Sequence, residues 1–254
     1  MPAITSDALV LRTHKLGETS KVVVLLTRER GKVRAVARGA RGPRPRYQSA
    51  LEPLSEVRVG LYGRQGAELY RLGECELLRS VFPALRGDPE RGAALGYLAE
   101  LLDAFAQEGE AEDAVYRLAA SVLRAAEDGE AIGPLARYLE AWLLKLHGIY
   151  PSLARCADCG RDLGREPRRY HAPAHGFVCQ ACGVATGPVL DSGRRFLEEA
   201  FRRPPGEAAA AAADAAFGDL ADVEALHRRL IEDHLERELR SYQVMRDVAR
   251  SVRP

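Results

Sequence analysis

A long apolar run and a recognisable secretory signal are both absent from this sequence of 254 residues. The densest apolar run near the N-terminus, residues 22–26, has five residues, whereas about 20 are needed to span a bilayer. Residues 1–7 have neither a basic n-region nor an apolar h-region. We therefore expect no membrane span and a cytoplasmic location.

The motifs of several large enzyme classes are also missing. The sequence contains no G-x-x-x-x-G-K-[ST] loop for a triphosphate, no G-x-G-x-x-G after a strand, no H-E-x-x-H and no G-x-S-x-G. His227 and His234 lie seven residues apart on a predicted helix, but a metal would need a further ligand, so both are interpreted as core or surface residues. These absences favour a binding protein over a catalyst.

The net charge of +1 hides an uneven distribution of charge along the chain. Residues 1–80 carry 15 Lys or Arg against 8 Asp or Glu, residues 81–150 carry 6 against 12, and residues 151–254 carry 16 of each. Residues 28–46 contain eight basic side chains and a single acid, Glu29. This density exceeds what solubility needs and predicts contact with a polyanion. A solvated basic loop without a partner is the alternative.

Short strands separated by turn residues dominate the first 80 residues. The β-branched or alternating runs are residues 8–11, 21–27, 32–38, 55–62 and 68–78. Within the third run Val33, Ala35 and Ala37 alternate with basic residues, which predicts one buried face and one basic, solvent-facing face. Five such strands are compatible with an oligonucleotide-binding barrel, an SH3-like barrel or a small sandwich.

Helical spacing replaces this pattern after residue 80. Asp88, Pro89 and Glu90 form a typical helix start, with an N-cap, a proline in the first position and an acid in the first turn. Apolar residues then recur with helical spacing through residues 95–105, 111–126, 134–147 and, as one long run, 219–252. The alanine-rich residues 207–216 are interpreted as a helix extension or a connector.

Four cysteines give the sharpest local signal. They form the pattern C-x2-C-x19-C-x2-C, in which the ligands are Cys156, Cys159, Cys179 and Cys182. This spacing is typical of four-cysteine zinc sites, and four thiolates leave no open position, so one structural Zn²⁺ is expected. Residues 168–171 and 177–178 are predicted to be the short strands of a zinc ribbon. Two disulfides are the alternative, which a reducing cytosol disfavours.

The fifth cysteine, Cys75, lies in a predicted strand. No His or Lys stands near it in sequence to lower its pKa. We therefore interpret it as a core or edge thiol without a chemical role.

Several segments together resemble one known family. They are Leu16-Gly17-Glu18-Thr19-Ser20-Lys21 with the apolar run that follows, Gly31-Lys32-Val33-Arg34-Ala35-Val36-Ala37-Arg38-Gly39-Ala40-Arg41, Leu51-Glu52-Pro53-Leu54, Ile149-Tyr150-Pro151, and Gly176-Phe177-Val178-Cys179. In this order they are similar to the RecO family of bacterial recombination mediators, and the cysteines are similar to those of its zinc-bearing members. The resemblance runs through nearly the whole chain.

The resemblance implies an α+β, multi-domain fold: a five-stranded oligonucleotide-binding (OB-fold) β-barrel in residues 1–80 and an α-helical domain in residues 81–150 and 191–254, with a four-cysteine zinc ribbon inserted as residues 151–190. It also implies a non-catalytic, nucleoid-associated protein of recombinational DNA repair, which binds single- and double-stranded DNA and anneals complementary strands. The implied partners are RecR, the C-terminal tail of single-stranded DNA-binding protein and, indirectly, RecA.

The basic segment supplies the candidate DNA contacts. They are Lys21, Lys32, Arg34, Arg38, Arg41, Arg44, Arg46 and Tyr47. Tyr47 or Tyr62 would offer a stacking surface for unpaired bases, with a place in the barrel core or rim as the alternative for each. Two other functions stay open at this point: a zinc-ribbon scaffold whose basic arm binds an acidic protein, and a zinc-dependent enzyme.

Overall fold

The computed structural model describes residues 3–41, 46–64, 66–85, 87–183, 186–212 and 220–252. The chain forms two compact units. The first consists of Met1–Asp128 and Leu239–Pro254, and the second of Gly129–Glu238. Within the described ranges no helix is both long enough and apolar enough to cross a membrane.

The first unit is built on a closed barrel. Its strands are β1 (Ala3–Leu16), β2 (Ser20–Thr27), β3 (Gly31–Ala37), β4 (Glu56–Tyr62) and β5 (Tyr70–Arg79). They follow the order β1-β2-β3-β5-β4, and β1 pairs with β4 to close the ring. All pairs are antiparallel except a short parallel contact between β3 and β5. The predicted five-stranded barrel is therefore confirmed, and the sandwich alternative is excluded.

Strand β1 is longer than its sequence pattern predicts. Its first half pairs with β4 and its second half with β2, with a bulge between Val10 and Arg12. A bulge lets one strand bend and serve two neighbours. The polar residues on both sides of the apolar centre conceal this length from a search for alternation.

The period-2 pattern of β3 places its core residues as predicted, and the positions on its outer face agree except at Lys32. Val33, Ala35 and Ala37 are buried in the barrel core, while Arg34 and Arg38 are exposed on the outside. The outer faces of β1 and β2 are also apolar and buried, notably at Leu9 and Leu26. Helices cover these faces and exclude solvent from that side of the barrel.

The described residues contain seven α-helices: α1 (Pro89–Phe105), α2 (Asp113–Glu127), α3 (Ile132–Leu146), α4 (Gly193–Ala200), α5 (Pro205–Ala212), α6 (Ala221–Leu235) and α7 (Arg240–Val252). The predicted start of α1 is confirmed, since Asp88 Oδ1 accepts a hydrogen bond of 2.8 Å from the Arg91 N–H. Helices α1 and α2 pack on the outside of the barrel. Helix α7 packs on α1, where the Tyr97 and Tyr242 ring centroids lie 5.6 Å apart.

The last predicted helix is in fact two helices. Glu236 adopts a left-handed conformation, with φ of 53°, and ends α6. Leu235 and Leu239 keep helical spacing across the break, so periodicity does not reveal it. The alanine-rich segment is helical as α5 up to Ala212, and the rest of it lies outside the described residues.

The second unit combines helices with a small sheet. Helix α3 packs against α5 and α6. The sheet has the order β7-β6-β8, with β6 (Arg168–His171), β7 (Gly176–Val178) and β8 (Val189–Leu190). The two predicted ribbon strands are confirmed as β6 and β7, whereas β8 is too short to be recognised from the sequence.

Candidate nucleic-acid interface and metal centre

The basic residues of the barrel fall into two groups, and the first group forms ion pairs with acids of the same unit. The ion pairs are Arg28–Asp113 at 2.6 Å, Arg34–Glu108 at 2.6 Å, Arg12–Asp103 at 3.0 Å and Lys32–Asp103 at 3.8 Å. The acidic helical segment thus neutralises part of the basic barrel. We call these four basic residues the paired basic half.

Lys32 departs most from its predicted role as a DNA contact. Its side chain is only 15% exposed, and its ammonium donates a hydrogen bond of 2.7 Å to the Asp103 carbonyl in addition to the ion pair. Helix α1 brings Asp103 to it from 71 residues along the chain. The predicted solvent-facing position is therefore wrong for Lys32, although it is right for Arg34.

A backbone contact fixes the acidic segment in place. Strand β3 pairs with β5 only at Ala35 and Val36, so the edge of its first half is open to other partners. Residues 107–109 take that edge, because the Lys32 N–H donates to the Gln107 carbonyl at 2.8 Å and the Gly109 N–H donates to the Lys32 carbonyl at 3.2 Å. Glu108 is held beside Arg34 as a result.

The second group of basic residues has no acidic counterpart among the residues that the structure describes. Over the described parts of the chain, no carboxylate lies within ion-pair distance of Lys21, Arg38, Arg41 or Arg46, which we call the unpaired basic end. The Arg41 guanidinium donates to the Gly17 carbonyl at 3.1 Å, and that of Arg46 donates to the Gly73 carbonyl at 2.9 Å. These carbonyls orient the two guanidinium groups but, being uncharged, do not neutralise their positive charge. Arg44, also predicted, lies outside the described residues.

Tyr47 occupies a different place from the predicted DNA contact. It is 5% exposed and belongs to the barrel core, and its hydroxyl donates to the Leu72 carbonyl at 2.9 Å. Burial raises its pKa above the ordinary value. Of the two interpretations left open, the core position is the observed one, because a ring enclosed in the barrel offers no face to a base.

The four predicted ligands converge in the second unit. The Sγ atoms of Cys156, Cys159, Cys179 and Cys182 all lie within 4.8 Å of one another. The cysteines are free thiols, so the disulfide alternative is wrong. The two halves of the site are joined by backbone, since the Ala157 N–H donates to the Phe177 carbonyl at 2.8 Å. This cluster can bind one metal ion, and four soft sulfur donors suit Zn²⁺.

Backbone hydrogen bonds prepare the first of these sulfurs for a cation. Burial raises the pKa of Cys156, but N–H groups of Cys159, Cys179 and Asp158 outweigh it and lower the pKa to about 6. Hydrogen bonds to Cys159 and Cys179 raise the pKa of Cys182 to about 12. The backbone around Cys156 therefore favours the thiolate, the form that binds a metal, and metal binding to the cluster releases protons from the remaining thiols.

Arg168 supports the cysteine cluster, and the sequence reasoning missed this role. It is 3% exposed and donates to the carbonyls of Leu153 at 2.5 Å and Gly164 at 2.9 Å, and also to those of Leu163 and Glu166. Burial lowers its pKa. These carbonyls flank Cys156 and Cys159, so Arg168 fastens the first cysteine pair to β6. The available signal was its alternation with Tyr170, which places a charged residue on a buried face.

Cys75 has the inert character predicted for it. It packs against the barrel core, and burial raises its pKa to about 11. At neutral pH it is a thiol and a poor nucleophile.

Two protein-family models match the chain. The model for "Recombination protein O N terminal" matches residues 1–81, and that for "Recombination protein O C terminal" matches residues 86–243. The chain is 35% identical over 234 residues to the DNA repair protein RecO of Koribacter versatilis, covering 92% of this chain and 94% of that protein. It is 34% identical over 250 residues to the DNA repair protein RecO of Desulforudis audaxviator, covering 97% of each.

Proposed function

The chain belongs to the RecO family of DNA repair proteins, and we propose that it acts as a non-catalytic recombination mediator. In this role it binds single- and double-stranded DNA and anneals complementary strands. With RecR it helps RecA load onto single-stranded DNA that is coated by single-stranded DNA-binding protein. The C-terminal tail of single-stranded DNA-binding protein is a further partner. The protein acts in the cytoplasm, at the nucleoid.

The unpaired basic end is the observation that carries this proposal. Arg38, Arg41 and Arg46 are exposed cations at one end of a barrel, with their guanidinium charges opposed by no carboxylate among the described residues. Such a surface attracts a phosphate backbone and releases its counterions on binding. We assign the phosphate contacts to these three with Lys21 and Arg44. Arg34 is a peripheral contact whose charge Glu108 screens, and Lys32 acts indirectly through the Asp103 pair.

The cysteine cluster has a structural part in this function. We propose that it binds one Zn²⁺ through all four thiolates, and that the ion stabilises the insert of residues 151–190. A closed thiolate shell leaves no position for water or substrate, which supports a non-catalytic role. In the proposed domain organisation, residues 1–80 are the DNA-binding barrel. Residues 81–150 and 191–254 form the helical domain.

A salt series on binding and annealing tests the proposal. Fluorescence anisotropy with a labelled single strand and a labelled duplex should show an affinity whose logarithm falls linearly with the logarithm of salt concentration. The protein should also accelerate the annealing of complementary oligonucleotides at the salt concentrations at which it binds DNA. Absence of DNA binding at low salt, together with binding to an acidic protein, would instead support the scaffold function.

A further inference from the structure

The barrel has one aromatic ring that reaches the surface. Residues 1–79 contain three aromatic side chains, Tyr47, Tyr62 and Tyr70. Tyr47 and Tyr70 are 5% and 4% exposed and belong to the core, whereas Tyr62 is partly exposed. It stands at the end of β4, where residues 56, 58, 60 and 62 alternate with the inward-facing Val57, Val59 and Leu61. Tyr62 therefore belongs to the outer face.

The Tyr62 ring lies directly against the backbone of β5. A Cβ atom added at Gly73 would stand 2.2 Å from Tyr62 Cε2 and 2.8 Å from Cδ2. Real Cβ atoms do not approach so closely, so any other residue at 73 would displace the ring. A Cβ at Gly60 would be 3.9 Å from the same Cε2 atom. Gly73 thus makes room for the ring to rest on the sheet, whereas a side chain at Gly60 would meet it only at van der Waals distance.

One arginine contacts this ring, and a second binds the backbone of the glycine beneath it. The Arg71 guanidinium carbon lies 5.0 Å from the Tyr62 ring centroid, a cation–π distance. A second guanidinium, that of Arg46, donates to the carbonyl of Gly73 at 2.9 Å, the residue against which the ring rests, and lies 5.3 Å from the centroid of the Tyr47 ring. Arg71, like Arg46, has no ion-paired carboxylate among the described residues. The ring is therefore continuous with the unpaired basic end.

We propose that Tyr62 is the stacking surface for an unpaired nucleobase, with Arg46 and Arg71 binding the adjacent phosphates. A ring held against a sheet loses little freedom when a base stacks on it, and every base has a π-face to offer. Bases within a duplex are stacked on each other and do not reach it. The inference rests on the proposed DNA binding, and it adds a site that distinguishes single strands from duplexes.

Two variants of Tyr62 and one control variant test the proposal by anisotropy on a dT oligonucleotide and on a duplex of equal length. Tyr62→Ala should lower affinity for the single strand roughly 5- to 150-fold, the usual range for loss of one stacked base, and change duplex affinity less than about twofold. Tyr62→Phe keeps the ring and should bind as the parent does. Phe82→Ala, which removes another exposed aromatic (47% exposed) of the same unit, is the matched control.

A fluorescence measurement makes the test independent of affinity. Tyr62→Trp places an indole at the site, and stacking on a base should quench its emission when the dT oligonucleotide binds. The parent protein, whose single tryptophan is Trp142 in the second unit, gives the background signal.

The outcomes separate the two levels of inference. A parent protein that binds neither DNA at low salt overturns the proposed function and the stacking site with it. A parent that binds, with Tyr62→Ala equally tight on the single strand and Tyr62→Trp unquenched, overturns the stacking site alone. An equal loss on single strand and duplex also contradicts it, because a phosphate contact would produce that pattern.

Discussion

His227 and Glu140 form a hydrogen bond of 2.9 Å between Nδ1 and Oε2, and both side chains are almost completely enclosed, at 0% and 1% exposure. The imidazole Nε2 lies 2.9 Å from the Tyr150 hydroxyl, and Arg137 forms an ion pair with Glu140 at 2.9 Å. An ionised carboxylate only accepts hydrogen bonds, so Nδ1 carries the proton and Nε2 accepts from Tyr150. The network joins α3 to α6 within the second unit.

This arrangement predicts a loss of stability in mild acid. Burial lowers the pKa of His227 below its ordinary value of 6.5, and the neighbouring Glu140 only partly opposes this. Below pH 6.5 the unfolded chain then binds a proton that the folded chain does not. The free energy of unfolding should fall as the pH drops below about 6.5, by at most about 1.4 kcal/mol per pH unit for this one group. Urea unfolding between pH 5.5 and 7.5 measures the slope.

Two histidine variants test whether His227 causes the change of stability with pH. His227→Phe removes the titrating group and should flatten the slope, while it lowers stability at pH 7.5 by about 2–3 kcal/mol because Glu140 and Tyr150 each lose a buried partner. His14→Phe, at an exposed position of β1, should leave both quantities nearly unchanged. A slope that survives in His227→Phe would show that another group is responsible.

The cysteine cluster should depend on Arg168 for its geometry. Arg168→Met keeps a long side chain but removes a donor that four carbonyls around the first cysteine pair share. Loss of such supporting hydrogen bonds typically weakens metal affinity about 10- to 100-fold, which competition with a chromophoric zinc chelator measures. Arg169→Met, one residue along and with its side chain on the other face of β6, is the control and should keep the parental affinity. Equal affinities for all three proteins would exclude a positioning role.

The sequence predicts those features that short-range patterns encode. The alternation of Val33, Ala35 and Ala37 identifies a half-buried strand because the side-chain period of a strand is two. The spacing of the cysteines identifies the cluster because each close pair lies within one tight turn. Within the strand, and within each close pair of cysteines, the residues that form the structure are near one another in the chain, so the pattern can be recognised without knowledge of the tertiary fold.

Contacts between distant segments are what the sequence conceals. The pairing of Lys32 with Asp103 depends on the open edge of β3 and on how α1 packs on the barrel. The burial of Tyr47 depends on a carbonyl of β5 that lies 25 residues further along the chain. Segment charge totals separate a basic barrel from an acidic helical region, whereas in the fold these charges meet and partly cancel. Among the described residues, the unpaired basic end keeps an excess of positive charge.

This division of the basic segment predicts unequal effects of matched charge changes. Neutralising Lys21, Arg38 and Arg41 together to Gln should lower DNA affinity strongly at low salt. Because each lost phosphate contact removes about 0.7–0.9 from the slope of log affinity against log salt, the slope should fall by about 2–3. The change should be similar for single strand and duplex, since phosphates are common to both.

The control removes the same number of charges from the paired basic half. Changing Arg12, Arg28 and Arg34 to Gln deletes three cations that already face carboxylates, so the surface potential changes but at most the peripheral contact of Arg34 is lost. We expect a decrease in affinity of no more than a few fold and nearly the parental slope. Equal effects of the two triple variants would mean that DNA follows the whole basic segment and that the acidic side chains move away on binding.

Two glycines in left-handed conformations test how firmly residues 107–110 hold β3. Gly17 and Gly31 have φ of 59° and 56°, so alanine at either position carries a backbone strain of about 1 kcal/mol. The surroundings differ. A Cβ at Gly17 would meet nothing within 4 Å, whereas one at Gly31 would lie 2.0 Å from the Glu110 carbonyl oxygen. Gly31→Ala should therefore cost about 1–3 kcal/mol more than Gly17→Ala in urea unfolding, because it also pushes a backbone segment away from the strand. Equal costs would show that residues 107–110 yield easily, and that Glu108, which faces Arg34, is only loosely attached to the barrel.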